Sequence, residues 1–259
     1  MTTCDEVDII KYARKIYVSE IHPELKEGSA ASVGMEQEGL ERAGDVLESA
    51  IIDEQIRAAS LVVARDATIV FAQGYGCLSP KADAPAVEPD SVFLLASITK
   101  PVTACALMLL VDRGLVALDD PVSCYLPEFR GGERDKVRVC HLLSHTSGMP
   151  DMLPQNMELR RAHAPLSEFV RLALKTPLLY SPGTNFSYQS KGILLAAEIV
   201  ERITGQRLRD FKKEEIFDPL EMSRSALGLG RFEISETVWC GKAQSESGDR
   251  MHFGPNSAY

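Results

Sequence analysis

Phe93-Leu94-Leu95-Ala96-Ser97-Ile98-Thr99-Lys100 is the stretch on which the reading of this chain turns. An apolar run, Val92 to Ala96, leads into a serine three residues before a lysine, and a helical run from Pro101 to Val111 follows. Residues i and i+3 share one helix face, so the Ser97 hydroxyl and the Lys100 ammonium can meet. A serine hydroxyl is a weak nucleophile at neutral pH and needs a neighbour to take its proton. At a helix N-terminus the charge developing on its oxygen also gains from the dipole and the free backbone N–H groups. The tetrad alone is weak, because serine is common at helix starts and a lysine beside it is often only solvated. Its chemistry depends on the company it keeps.

Composition narrows the field. The chain has 259 residues, 45 % hydrophobic and 25 % charged, which suits a globular protein with a sizeable core. A net charge of −9 and the lack of a basic stripe with interleaved aromatics argue against nucleic-acid binding. The longest apolar run, about Val102 to Val111, is too short to span a bilayer and reads as a buried helix. Met1-Thr2-Thr3-Cys4-Asp5-Glu6 carries acids where a secretory signal has a positive region. Cys4, Cys77, Cys105, Cys124, Cys140 and Cys240 are scattered without C-x-x-C pairs and read as reduced, mostly buried thiols. The expected compartment is the cytoplasm.

Residues 1–35 read as an N-terminal extension, with mixed helical periodicity from Asp8 to Ile21 and a flexible linker at Gly28 to Gly34. Residues 36–259 read as one domain. Its first helix is expected from Glu36 to Gln55, with Leu40, Ala43, Leu47, Ala50 and Ile51 on one stripe. Leu61–Ala64 and Thr68–Gln73 predict a strand hairpin closed by Gly74-Tyr75-Gly76. After the Pro101–Arg113 helix, further helices are expected at Val139–Ser144, at Ser167–Lys175 with Ser167 as the cap, at Ile193–Thr204 and at Arg209–Phe217. Helix, hairpin and long helical insertion together predict an α+β fold with a helical subdomain.

A second segment bears on chemistry: Ser181-Pro182-Gly183-Thr184-Asn185-Phe186-Ser187-Tyr188-Gln189-Ser190-Lys191-Gly192. A tyrosine on such a loop can carry a proton if a nearby cation lowers its pKa, and Lys100 is the candidate cation. Taken alone, Tyr188 reads equally as a packed aromatic with a bonded hydroxyl. His141 and His145, beside Cys140, have an i, i+4 spacing that zinc sites use on helices. Without an H-E-x-x-H pattern or a third ligand at a useful spacing, they read as packed or capping side chains. Asp119 and Asp120 read as helix caps, and Cys105 as a small buried residue.

Together these segments resemble the serine beta-lactamase and penicillin-binding protein superfamily, in particular its class C-like esterases and D-alanyl-D-alanine carboxypeptidases. Phe93 to Lys100 is similar to the nucleophile segment, and Leu115 to Val122 to the turn after the nucleophile helix. His141-Leu142-Leu143-Ser144-His145-Thr146-Ser147-Gly148-Met149-Pro150 resembles a family signature, and Pro182 to Gly192 the second catalytic motif. The resemblance implies a beta-lactamase/transpeptidase-like fold, an antiparallel sheet packed with helices, and a serine hydrolase acting on a small ester or amide. Ser97 would form the acyl-enzyme, Lys100 and Tyr188 would move its proton, and Ser190 would touch the substrate. Neither a metal nor an organic cofactor is implied.

Two departures from the family pattern stand out. The second motif is usually Tyr-x-Asn, and here it is Tyr188-Gln189-Ser190, whose shorter side chain suits an ester better than an amide. The late strand that usually carries Lys-Thr-Gly or His-x-Gly has no clear counterpart. Lys175-Thr176-Pro177 precedes Tyr188 and has proline for glycine, and His252-Phe253-Gly254 lies near the end. The chain therefore reads as ending inside the family's sheet, which predicts an unpaired strand edge and a tendency to associate. The competing reading is a catalytically inactive binding or scaffolding relative. An α/β-hydrolase is excluded by the lack of a G-x-S-x-G elbow.

Overall fold

In the computed structural model, which describes residues 25–239, the expected hairpin forms with longer strands than its apolar runs suggest. Strand β2 runs Ala58–Arg65 and pairs antiparallel with β3, Thr68–Gly76. Gly74-Tyr75-Gly76 thus continues the strand instead of closing it. Gly74 is needed there because a side chain would run into the Val87 carbonyl. The two-residue turn, Asp66-Ala67, has positive φ at both positions, the geometry whose twist matches a hairpin. A short strand β1, Lys26–Glu27, adds in parallel to β3, so the sheet is mixed, in the order β1-β3-β2.

The described residues form two compact units, residues 96–228 and residues 25–95 with 229–239. In the second unit, helix α1, Gln37–Ile52, packs on the hairpin. Its buried positions are Leu40 and Gly44, while Ala43, expected on the stripe, is exposed. Gly44 lies so close to the Tyr75 ring that a β-carbon would not fit. The Gly28–Gly34 linker is in part a structured turn: Ala30–Val33 is a 3-10 helix with Ala30 buried against Leu40 and Val70. Val92 and Thr237 form an isolated parallel bridge, and Arg57 stacks on Trp239.

The first unit is helical. Helix α2 spans Thr99–Asp112 and buries Thr103, Ala106, Leu107 and Leu110, the i, i+3, i+4, i+7 stripe of an amphipathic helix. Helices α3 (Val139–Leu143), α4 (Asn156–Arg161), α5 (Leu166–Ala173), α6 (Ser190–Thr204) and α7 (Leu208–Lys212) follow. Helix α6 packs on α2, α3, α5 and α7. Leu107, Leu110, Leu126, Phe129, Leu142, Leu195 and Ile199 share one core with full burial.

Several local expectations shift. Helix α6 begins three residues before the expected Ile193, and Pro165 instead of Ser167 occupies the cap of α5. The Arg209–Phe217 candidate is α7 followed by a π-helical turn, Lys213–Phe217. Asp119 pairs with Arg138, and Asp120 accepts the Tyr125 hydroxyl at 2.6 Å, so neither carboxylate caps a helix. Cys105 and Cys77 are exposed and Cys124 and Cys140 half-buried, against the expectation of buried thiols. The Asp8–Ile21 helix, Cys4, Cys240 and His252-Phe253-Gly254 lie outside the described residues.

Candidate active site

The chain reaches Ser97 through a strained turn. Ala96 has φ 46°, a left-handed conformation that costs a residue with a β-carbon free energy. Ala96–Ile98 is a 3-10 turn, and α2 begins at Thr99, so Ser97 stands just before the helix with its side chain exposed. Lys100, on the first turn, donates from Nζ to Ser97 Oγ at 2.9 Å. From 91 positions away in sequence, the Tyr188 hydroxyl donates to the same Oγ at 2.9 Å. The Lys100 ammonium also lies 4.9 Å from the centre of the Tyr188 ring. The three residues singled out by sequence therefore meet at one atom.

Their electrostatics follow from that meeting. The Lys100 ammonium beside the phenol, and the hydrogen bond to Ser97, hold the Tyr188 pKa below the usual tyrosine value. A phenol so placed can become a phenolate at lower pH than a free tyrosine, and a phenolate can accept the Ser97 proton.

Tyr188 is held by the signature segment that precedes it. Helix α3 ends at Leu143 with Ser144 as its C-cap, and the next residue, His145, takes the left-handed conformation, φ 61°. Thr146 N–H bonds back to the His141 carbonyl at 3.1 Å, the closing bond of a helix C-terminal motif in which glycine usually occupies the left-handed position. From there the chain runs beside the tyrosine loop. Gly183 N–H donates to Thr146 O at 2.8 Å, Leu179 N–H to Gly148 O at 2.7 Å, and Ser187 N–H to His145 O at 2.9 Å. Gly148 cannot carry a side chain because the Tyr180 carbonyl occupies its place.

The middle residue of the second motif points inward. Gln189 is fully buried; its Oε1 accepts the Ser147 hydroxyl at 2.6 Å and its Nε2 donates to His141 O at 3.2 Å. Ser190, the first residue of α6, is half-buried, and its N–H donates to the Asp151 carboxylate at 2.6 Å. Lys191 follows with its ammonium buried and without a hydrogen-bond partner among the described residues, and burial pulls its pKa down to about 8.

Ser147, Gln189, Asp151 and Lys191 were not singled out from the sequence, and His145 was set aside as a packed or capping side chain. The Ser147 and His145 signal lay in the signature segment itself. Asp151 and Lys191 carry no local pattern that marks them. His141 is a capping histidine, since its Nδ1 accepts the Arg138 N–H at 3.2 Å. Thr176 of Lys175-Thr176-Pro177 bonds back to Leu172 O at the end of α5 and does not lie on a strand. Among the described residues, no group of three or more His, Cys, Asp or Glu side chains is arranged to hold a metal ion. None of the helices there is long and apolar enough to cross a membrane.

The chain is similar to several known proteins. "Esterase EstB" of Burkholderia gladioli is 34 % identical over 196 residues, which are 70 % of this chain and 50 % of the esterase. Penicillin-binding protein 4* of Bacillus subtilis is 29 % identical over 170 residues, 64 % of this chain and 37 % of that protein. Among solved structures, the D-amino acid amidase of Ochrobactrum anthropi SV3 superposes with a TM-score of 0.65 at 25 % identity, over 77 % of this chain and 55 % of the amidase. The chain thus spans half or less of the length of the two sequence relatives. Those likenesses support the α+β, beta-lactamase/transpeptidase-like fold. Residues 35–255 match the Beta-lactamase family, and the chain belongs to it.

Proposed function

We propose that this chain belongs to a serine hydrolase that cleaves small esters, or less readily amides, through an acyl-enzyme on Ser97. The observation that carries the reading is the convergence of Lys100 Nζ and Tyr188 Oη on Ser97 Oγ, each at 2.9 Å. Relatives named as an esterase, an amidase and a penicillin-binding protein support the same reaction class.

In this reading the Lys100 cation stabilises Tyr188 as the phenolate, which takes the Ser97 proton as Oγ attacks the substrate carbonyl carbon. The carbonyl oxygen becomes the oxyanion of a tetrahedral intermediate, and the Ser97 N–H is one donor available to it. Tyr188 returns its proton to the leaving alkoxide or amine as the bond to carbon breaks, which leaves Ser97 acylated. Water then enters, loses a proton to Tyr188 and attacks the acyl carbon; as the bond from that carbon to Oγ breaks, Tyr188 passes the proton to Ser97 Oγ and the acid departs. Ser190 would face the substrate with a hydroxyl in place of the family's carboxamide, which favours esters.

The test is turnover of a short-chain ester. Lys100→Ala and Tyr188→Phe are each expected to lower kcat by about two orders of magnitude or more. The double variant should lose less than the two losses combined, because groups sharing one proton path are non-additive. Independent, additive losses would contradict a shared path.

A further inference from the structure

His145 is packed against the candidate base in a way that neither capping nor core filling requires. Its ring centroid is 4.8 Å from that of Tyr188, with the planes inclined by 38°, and it meets Phe186 edge-on at 6.0 Å. Its carbonyl accepts the Ser187 N–H at 2.9 Å, and its Nδ1 accepts the Gln189 N–H at 3.2 Å. One residue therefore holds the backbone on both sides of Tyr188 and the face of its ring. It does so from the left-handed position after α3, where a glycine would be free of the steric cost that histidine bears.

We propose that His145 is the positioning residue of this site: its neutral imidazole fixes the Tyr188 phenol on Ser97, and protonation at Nδ1 releases it. The inference rests on the reading of Tyr188 as the base for Ser97. An imidazole whose Nδ1 accepts an N–H must carry its own proton on Nε2, and an imidazolium has no acceptor left. A solvent proton on Nδ1 thus removes the only lone pair that meets Gln189 N–H, and sets a second cation beside Lys100. Among the described residues, the charged and titratable groups facing the ring are Lys100 from α2, Asp151 from the loop after Gly148, and Tyr188 itself. Burial and Lys100 oppose protonation while Asp151 favours it, and the balance holds His145 below the usual histidine pKa. The site is therefore intact at neutral pH and comes apart on the acid side.

Two variants and one titration test this. His145→Gly removes the ring from a backbone that glycine adopts freely. His145→Asn tolerates positive φ and places Oδ1 where Nδ1 stood, but does not titrate. Labelling of Ser97 by a fluorophosphonate is followed against pH, and the Gln189 amide is followed by NMR in the ¹⁵N-labelled chain. The expected results are labelling about 100-fold slower in the glycine variant, the effect of a misplaced catalytic group, and near-normal labelling in the asparagine variant at neutral pH. In the wild type the rate should fall more steeply below the His145 pKa, and the Gln189 amide should shift with the same midpoint. Both effects should vanish in His145→Asn. Wild-type labelling that the glycine variant matches, or a Gln189 amide indifferent to pH, overturns the positioning role and leaves Ser97 in place. If wild-type Ser97 does not label at all, the proposed function fails, and the Gln189 titration alone then decides whether His145 holds the loop.

Discussion

The helical unit and the sheet unit are built on different terms. The helical unit encloses Leu107, Leu110, Leu126, Phe129, Leu142 and Ile199 completely, and the Ser97–Lys100–Tyr188 group stands on elements fixed by that core. In the sheet unit the buried cluster is Ala30, Leu40 and Val70, while Val46, Ile52 and Val62 are 67 %, 74 % and 51 % exposed. Strand β2 is also an edge of the described sheet. The contrast teaches that the candidate chemistry and the large core that supports it lie in one unit, whereas the buried cluster of the sheet unit is small.

Core truncations give the largest expected difference. Phe129→Ala should cost about 3–5 kcal/mol, the usual loss for a buried phenylalanine, whereas Val62→Ala should stay within about 0.5 kcal/mol. Urea denaturation of both variants measures it, and equal losses would erase the distinction between the units.

A pH series sharpens it. Burial holds Lys191 and Lys212 at about 8 in the fold, and Lys212 donates to the Thr103 hydroxyl at 2.7 Å. The unfolded chain keeps those protons to about pH 10.4, so it binds more protons than the folded chain from about pH 8 upward, and stability should rise there. Tyr75 in the sheet unit has the opposite sign: burial, with Asp45 and Glu48 nearby, raises its pKa, so its contribution is lost above about pH 10. Tyr125, raised by burial and Asp120, adds to that loss. Urea midpoints at pH 7, 8 and 9 should increase in order. Lys191→Met should flatten the rise and lift Tm at pH 7 by roughly 2–4 °C; an unchanged slope would show that the ammonium is solvated.

The smallest effect lies in the hairpin turn. Asp66 and Ala67 have φ 48° and 56°, and Ala67→Gly relieves the second of these. A gain of about 0.5–1 kcal/mol is expected, the steric relief less the entropy of glycine. A loss would mean that the turn does not adopt this geometry in solution.

Much of the helical unit was legible because apolar spacing and burial coincide there. The α2 stripe and the α6 helix follow from period alone, and Ser97 to Lys100 is a local pattern. The pairing of Tyr188 with Lys100 could be raised from residue chemistry, but its meeting with Ser97 rested on the family resemblance, since nothing local specifies a contact across 91 residues. The inward turn of Gln189 and the Asp151 contact to Ser190 were not legible, because each depends on two loops running side by side. In the sheet unit, Ala43 misled because alanine fits a buried or an exposed position equally well. The glycines of β3 resembled a turn because glycine also marks close backbone approach.

The most direct test of the account is the site of covalent modification. The chain is treated with a fluorophosphonate at neutral pH, and the modified peptide is located by mass spectrometry in the wild type, Ser97→Ala, Lys100→Ala and Tyr188→Phe. The account predicts a single phosphonylated residue, Ser97, no adduct in the alanine variant despite an unchanged unfolding transition, and slow labelling without Lys100 or Tyr188. An adduct that persists in Ser97→Ala, or labelling of Ser97 at the same rate without its two partners, would contradict it.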